Sequence, residues 1–260
     1  MAAHYPDISL DREGPIAFVT LERPERRNAL SLEVLTALLE ALRAVGADRE
    51  LRVAVVRASG PAFCAGHDLS EMVGRDAAFF QQLFSTCAEV METIHSIPQP
   101  VIAEVQGIAT AAGCQLVASC DLAVAAAEAR FATPGVKIGL FCTTPMVALT
   151  RAVGAKKAME MLLTGEAITA SEALAAGLVN RVVPAAELRA ATRALADRIA
   201  ASSPFVVGLG KKAFYRQLQM PRAEAYAYAG EVMCANAAAE DAQEGMHAFL
   251  EKRAPVWRGR

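Results

Sequence analysis

The sequence predicts an α/β core with a helical C-terminal extension. Three observations carry this reading. The 260 residues are 54% hydrophobic and 21% charged, ample for a packed core and far from a disordered composition. Strand-like and helix-like patterns alternate as far as about residue 185, as expected of repeated β-β-α or β-α units. From Ala186 to the end the pattern is almost wholly helical.

The elements follow in order. Ile16 to Leu21 is a β-branched and aromatic run between Gly14-Pro15 and Arg23-Pro24, hence a strand. Residues 32, 34, 35, 38, 39, 42 and 45 are apolar at helical spacing, with Ser31 as N-cap and Gly46 as stop. Arg52 to Ala58 is a strand closed by Ser59-Gly60-Pro61, and Ala77 to Ile97 a long helix closed by Pro98 and Pro100. Val101 to Val105 is a strand, Ala112 to Ala118 a short helix, and Leu122 to Ala126 a buried strand. Helices at Pro145 to Val153 and Lys156 to Leu163 follow, the second ending at Gly165. Thr169 opens a helix that stops at Gly177, and Val179 to Val183 is a short strand. Pro204 and Pro221 break the final helical stretch.

Several function classes fall away. The net charge of -2 is unlike a nucleic-acid binder. Val105 to Ala127 is alanine-rich but carries Gln106, Gln115, Ser119 and Asp121, so no membrane span is expected. MAAHYPD at residues 1–7 is too short and polar to read as a secretory signal. The four histidines lack zinc-ligand spacing, and no metal site is expected. Six cysteines without a Cys-x-x-Cys pair read as small core residues of a reducing compartment, and the location expected is cytoplasmic. Gly107-Ile-Ala-Thr-Ala-Ala-Gly113 has the wrong spacing for a dinucleotide fingerprint, and there is no P-loop and no Gly-x-Ser-x-Gly elbow.

Two loop-to-helix junctions remain, each after a strand: Ser59 to Leu69 (SGPAFCAGHDL) and Gln106 to Leu116 (QGIATAAGCQL). Small residues let a ligand approach the backbone, and free N–H groups at a helix start suit an oxyanion. Two such groups converging on one point would stabilise a thioester enolate. Tight turns between packed elements would explain the same composition.

The segments Phe63-Cys-Ala-Gly-His-Asp-Leu, Pro100-Val-Ile-Ala-Glu-Val-Gln-Gly107 and Ala112-Gly-Cys-Gln-Leu-Val-Ala-Ser-Cys-Asp121 resemble the crotonase (enoyl-CoA hydratase/isomerase) superfamily. So do Phe131-Ala-Thr-Pro-Gly-Val-Lys-Ile-Gly-Leu140, Leu163-Thr-Gly-Glu, Glu172 to Asn180 and Ala248-Phe-Leu-Glu-Lys-Arg253. The match runs from about residue 8 to the last, and Gly-Ile-Ala-Thr-Ala-Ala-Gly-Cys-Gln is most similar to the enoyl-CoA hydratase domain-containing protein 3 group. The resemblance implies a ClpP-like fold of two roughly perpendicular sheets, with residues 1–203 as the α/β core and 204–260 as a helical trimerisation region. It implies an acyl-CoA ligand, no cofactor beyond the coenzyme A of the thioester, and a homotrimer or a dimer of trimers. The thioester oxygen would sit between the backbone N–H groups of His67 and Ala112, with coenzyme A along Ala65, Gly66, Asp68 and Leu69.

The departures matter more. In family hydratases two glutamates serve one water, and their positions fall on Gln115 and Gly135. A glutamine accepts no proton near neutral pH, and a glycine has no side chain. The aspartate of dienoyl isomerases would fall near Thr143, and the lysine that often follows the first loop is Ser70. Hydration is therefore expected to be weak or absent, and Gln115→Glu with Gly135→Glu is expected to raise it. The alternatives are another CoA-thioester reaction (isomerisation, hydrolysis or decarboxylation) or a non-catalytic acyl-CoA binding protein. His67 would titrate near neutrality unless only its N–H matters. Asp68 reads best as a cap, Glu89, Glu92 and His95 as a solvated face, and Cys114 and Cys142 as buried filler. Asp121 reads as a structural hydrogen-bonding group, while Lys211, Lys212, Lys252 and Arg253 either meet CoA phosphates or coat the last helices.

Overall fold

The computed structural model describes residues 5–260. An antiparallel hairpin, β1 (Ile8–Glu13) and β2 (Ile16–Leu21), opens the chain and leads to helix α1 (Leu32–Ala47). Then come β3 (Val53–Ala58), the single turn α2 (Leu69–Met72) and the long α3 (Ala77–Ser96). A second β-β-α unit follows: β4 (Val101–Val105), β5 (Ile108–Thr110) and α4 (Ala112–Ser119). After β6 (Leu122–Ala126) and β7 (Arg130–Ala132), a 3₁₀ turn at Pro134–Ile138 leads to α5 (Pro145–Ala152) and α6 (Ala155–Thr164). The rest is β8 (Ile168–Thr169), α7 (Ala170–Ala176), β9 (Arg181–Val183) and four helices: α8 (Leu188–Ala200), α9 (Pro204–Gln217), α10 (Arg222–Ala238) and α11 (Glu240–Leu250).

The strands form two sheets. The larger has the order β1-β2-β3-β4-β6-β9 and is parallel except for the first hairpin; the smaller has the order β5-β7-β8. From β4 onward successive strands divide between the sheets: β4 and β6 join the large one, and β5 and β7 the small one. Alternation along the strands explains the two cores. Ala17, Val19, Leu21, Ala54 and Val56 pack toward α1 and α3, while Ile16, Phe18, Val53, Val55 and Ile102 pack toward Leu188, Leu195 and Ala196 of α8. Strands buried on both faces read as nearly continuous apolar runs, which is why β2, β4 and β6 are legible without alternation of polarity; Thr20 in β2 and Glu104 in β4 are buried polar exceptions.

The caps match the sequence expectation at several points. Ser31 accepts from Val34 N at 3.2 Å, and Thr169 with Glu172 forms a reciprocal capping box. Gly165 and Gly177 close their helices in the left-handed conformation. Gly46 is a correction: α1 runs on to Ala47, and a Cβ at Gly46 would lie 2.5 Å from Ile97 Cγ2. Its glycine serves the crossing of α1 under the end of α3. Another correction concerns the cysteines: five are buried, but Cys234 on α10 is exposed. Among the described residues, no helix is long and apolar enough to cross a membrane.

Candidate active site

Both loop-to-helix junctions lie at the C-terminal ends of parallel strands and are knitted together by backbone. Cys64 bridges β5: its N–H donates to the Ile108 carbonyl at 3.1 Å, and its carbonyl accepts from Thr110 N at 2.9 Å. Further along, Leu30 N donates to the Gly66 carbonyl at 2.8 Å and Asp68 N to the Leu30 carbonyl at 3.1 Å. This pairing engages residues 66 and 68, so the alternation of extended backbone turns the His67 N–H away from Leu30. Gly66 has φ +90°, which a side chain would strain. A Cβ there would lie 2.9 Å from Ala111 Cβ and 3.4 Å from Ala112 N. The first loop therefore rests directly on the start of α4.

Helix α4 starts abruptly. Ala111 adopts φ 50° and ψ −116°, an uncommon conformation for a residue with a Cβ, and no side chain caps the helix. Its N–H donates to the Ala132 carbonyl at 2.9 Å, and its carbonyl takes the first helical bond, from Gln115 N at 3.0 Å. The N–H groups of Ala112, Gly113 and Cys114 precede that first bond and have no acceptor within the helix. The predicted donors His67 and Ala112 thus sit on abutting segments.

The side chains around them are mostly committed or neutral. Burial lowers the His67 imidazole below its ordinary 6.5, with the Leu30 carbonyl a weaker opposing influence. That carbonyl stands outside hydrogen-bond geometry, and both ring nitrogens are buried without a partner. The ring packs edge-on against Phe84 of α3, 5.3 Å between centroids. Gln115 is buried on α4, and its Oε1 faces Cys87 Sγ of α3 at 4.0 Å. Burial pushes the Cys64, Cys87 and Cys114 thiols up to about 12, so none supplies a thiolate near neutral pH. Asp68 caps α2: it accepts from Ser70 Oγ at 2.6 Å and pairs with Arg23 at 3.2 Å. The Ser70 hydrogen bond holds its carboxyl below the usual range. Glu71 accepts from Leu32 N at 2.9 Å. Ala65 is half-buried and Leu69 exposed at the loop edge.

Gly135 lies in the 3₁₀ turn, and its carbonyl accepts from Leu140 N at 2.9 Å. The following loop folds over it so closely that a Cβ would lie 1.9 Å from the Leu140 carbonyl oxygen and 2.8 Å from Cys142 Sγ. The expectation that a glutamate can be installed there is therefore corrected: backbone already fills the space. Cys114 and Cys142 are indeed buried, and Thr143 is exposed. Glu89 and Glu92 are exposed on α3 as expected, but His95 is not, since its ring stacks on Tyr215 at 4.0 Å. Lys211 neither faces solvent nor awaits a phosphate. Its buried Nζ binds Asp121 at 2.7 Å and the carbonyls of Ile94 and Gln99 at 2.6 and 2.8 Å. Asp121 is the structural group expected, also accepting from Val101 N and the Tyr215 hydroxyl. Arg253 is paired with Glu244 and Glu251.

The profile of the enoyl-CoA hydratase/isomerase family matches residues 11–260. The chain belongs to the enoyl-CoA hydratase/isomerase family. It is 48% identical over 257 residues to enoyl-CoA hydratase domain-containing protein 3, mitochondrial, of Xenopus laevis, covering 98% of this chain and 87% of that protein. The human protein of the same name is 50% identical over 242 residues, 92% of this chain and 79% of its own length. A crystal structure of an enoyl-CoA hydratase from Mycobacterium smegmatis superposes with TM-score 0.95 at 49% identity, covering 97% of this chain and 99% of that one. Within the enoyl-CoA hydratase/isomerase family the domain-containing protein 3 group is thus the near neighbourhood, and the fold is the crotonase fold. The cytoplasmic expectation is corrected by the same relatives, which are named mitochondrial. Reduced core cysteines do not discriminate between reducing compartments, so the composition never carried that distinction.

Proposed function

We propose that the chain binds acyl-CoA thioesters, holding the thioester oxygen between the N–H groups of His67 and Ala112. Coenzyme A then runs along Ala65, Gly66, Asp68 and Leu69, and the acyl chain enters between α3 and α4. The contact of Gly66 with Ala111 and Ala112 carries this reading, because it sets the two donor segments side by side. Backbone donors on a rigid frame suit a charge that develops on a thioester oxygen. Resemblance to the family supplies the ligand class.

Hydration of enoyl-CoA is weak on this reading. Gln115 orients a water without taking its proton, and the space at Gly135 is filled by the Leu140 carbonyl. Each missing proton-transfer group costs about 10²–10⁴-fold. The function is then acyl-CoA binding, or a CoA-thioester reaction that needs only the oxyanion hole and a group brought by the substrate. Residues 204–260 serve assembly into a trimer or a dimer of trimers.

Mass spectrometry of a panel of short, long and branched acyl-CoA esters tests binding and turnover together. The expected result is binding of thioesters in preference to the free acids, with crotonyl-CoA hydration at least about 10³-fold below a two-glutamate relative. No thioester binding up to millimolar concentration would overturn the site, and ordinary hydratase turnover would overturn the assignment of Gln115 and Gly135.

A further inference from the structure

A sizeable cavity lies at the opposite pole from the candidate active site, at the N-terminal ends of the parallel strands. It measures about 1160 Å³. Its wall gathers five arginines, Arg12, Arg49, Arg52, Arg258 and Arg260, against one acid, Glu50. They come from three distant segments: the β1–β2 hairpin, the α1–β3 loop and the C-terminal tail. In a chain of net charge -2 this is a strong local concentration of one sign. Arg12 is paired with Glu50 at 2.9 Å and Arg260 with Glu240 at 2.9 Å. Arg49 and Arg258 make no ion pair among the described residues, and Arg52 uses one nitrogen on the Ala200 carbonyl at 2.8 Å.

The tail is built into this wall. The buried Asp241 carboxylate accepts from Ser203 Oγ at 2.5 Å, Arg258 N at 2.7 Å and Gly259 N at 2.9 Å. Its own N–H donates to the Arg260 carbonyl at 2.8 Å. Trp257 is fixed by Nε1 on the Ala201 carbonyl at 2.8 Å. These bonds hold two arginines beside three others; Arg12 is neutralised by Glu50 and Asp48 and Arg260 by Glu240, which leaves Arg49, Arg52 and Arg258 without a carboxylate partner among the described residues and able to take an anion. The cavity is not bare charge. Phe205 and Trp257 line it, and so does Gln99, whose buried Oε1 lacks a donor while its Nε2 serves two carbonyls. Guanidiniums for phosphate oxygens, aromatic rings for a base and an amide acceptor for an amino group describe one ligand class.

We propose that this cavity binds a nucleotide carrying two or more phosphates, independently of the acyl-CoA site. The shared chemistry is an adenosine-type polyphosphate, whether a free nucleotide or the nucleotide half of a CoA molecule. Trp257 is the only tryptophan of the chain, so its fluorescence reports this cavity alone. The full chain is titrated with ADP, CoA and inorganic tripolyphosphate, followed by fluorescence and by calorimetry. The expected result is saturable binding of ADP or CoA, weakened by salt, with tripolyphosphate bound less tightly. The tighter of the two nucleotides identifies the source. Arg49→Gln and Arg258→Gln alter exposed side chains and are each expected to weaken ADP binding about tenfold or more. Absence of binding by all three probes up to millimolar concentration overturns the proposal, as does binding that neither substitution changes. Tripolyphosphate binding as tight as ADP overturns the nucleotide assignment. A change in oligomer mass on Arg49→Gln or Arg258→Gln, without any ligand binding, would assign the arginines to a subunit contact instead.

Discussion

Gly135 illustrates how a single residue carries more than its side chain. Read along the chain, it is a lost acid. In the fold it is the point where the 134–142 segment turns back on itself, with backbone 1.9 Å from where a Cβ would be. Gly135→Glu is therefore expected to lower stability by about 2 kcal/mol or more, as overpacking against backbone does, and to leave hydration unchanged. Thermal melts beside a crotonyl-CoA assay check this; a stable variant with raised hydration would refute it. His67 offers a test of a different kind. Burial depresses its pKa, so below the ordinary 6.5 the unfolded chain binds the proton more readily than the folded one. Stability from this group is present above that value and lost as pH falls. Because burial depresses His95 as well, only part of the acid slope in Tm should vanish in His67→Gln. An unchanged slope would place the ring in solvent.

At the scale of elements, the junction of the first loop with α4 decides whether the candidate site exists. Gly66→Ala adds a Cβ at φ +90° against Ala111 Cβ and Thr110 O, 2.9 and 3.0 Å away. We expect roughly 1–3 kcal/mol of lost stability from the strained conformation and a larger proportional loss of acyl-CoA affinity, because the two donors separate. Equal affinity in calorimetry would show that the N–H pair does not hold the ligand. Most elements around this junction were legible beforehand. Strands β2, β4 and β6 are buried on both faces, and α1 and α3 carry helical spacing with clear stops. The small sheet was not legible: β5, β7 and β8 are two or three residues long, and such runs hold no period. β1 was missed because its burial fades along its length as it lies at the sheet edge. The site was legible only as motif. Nothing local announces that Ala111 takes a positive φ, that Phe84 and Cys87 reach the loop from α3, or that the Leu140 carbonyl caps Gly135. The α3 contacts join residues distant in sequence, and the Ala111 and Gly135 conformations are set by the packing around them.

For the whole molecule, apolar surface remains that one chain does not cover. Helix α10 has no buried residue along 17 positions. Tyr226, Phe249 and Leu250 are 77%, 82% and 78% exposed on the last helices. A second group, Ile138, Leu140, Phe141 and Val147, is exposed beyond Gly135. Two different apolar patches on one chain suit a head-to-tail ring, where each patch meets the other on a neighbour, better than a two-fold dimer that doubles one patch. Removing everything after residue 203 is a poor test, because Lys211 and Tyr215 neutralise and bind Asp121 inside the core. Loss of those partners would leave a partly buried carboxylate without its cation. Surface substitutions avoid this. Phe249→Ser with Leu250→Ser removes two exposed apolar side chains, so the monomer is expected to fold while the assembly weakens. Light scattering at micromolar concentration is expected to give a trimer or twice that mass for the unaltered chain and a smaller species for the variant. A monomer for the unaltered chain would reject the ring. An unchanged mass for the variant would move the contact to the patch around Leu140, where Ile138→Ser is the corresponding test.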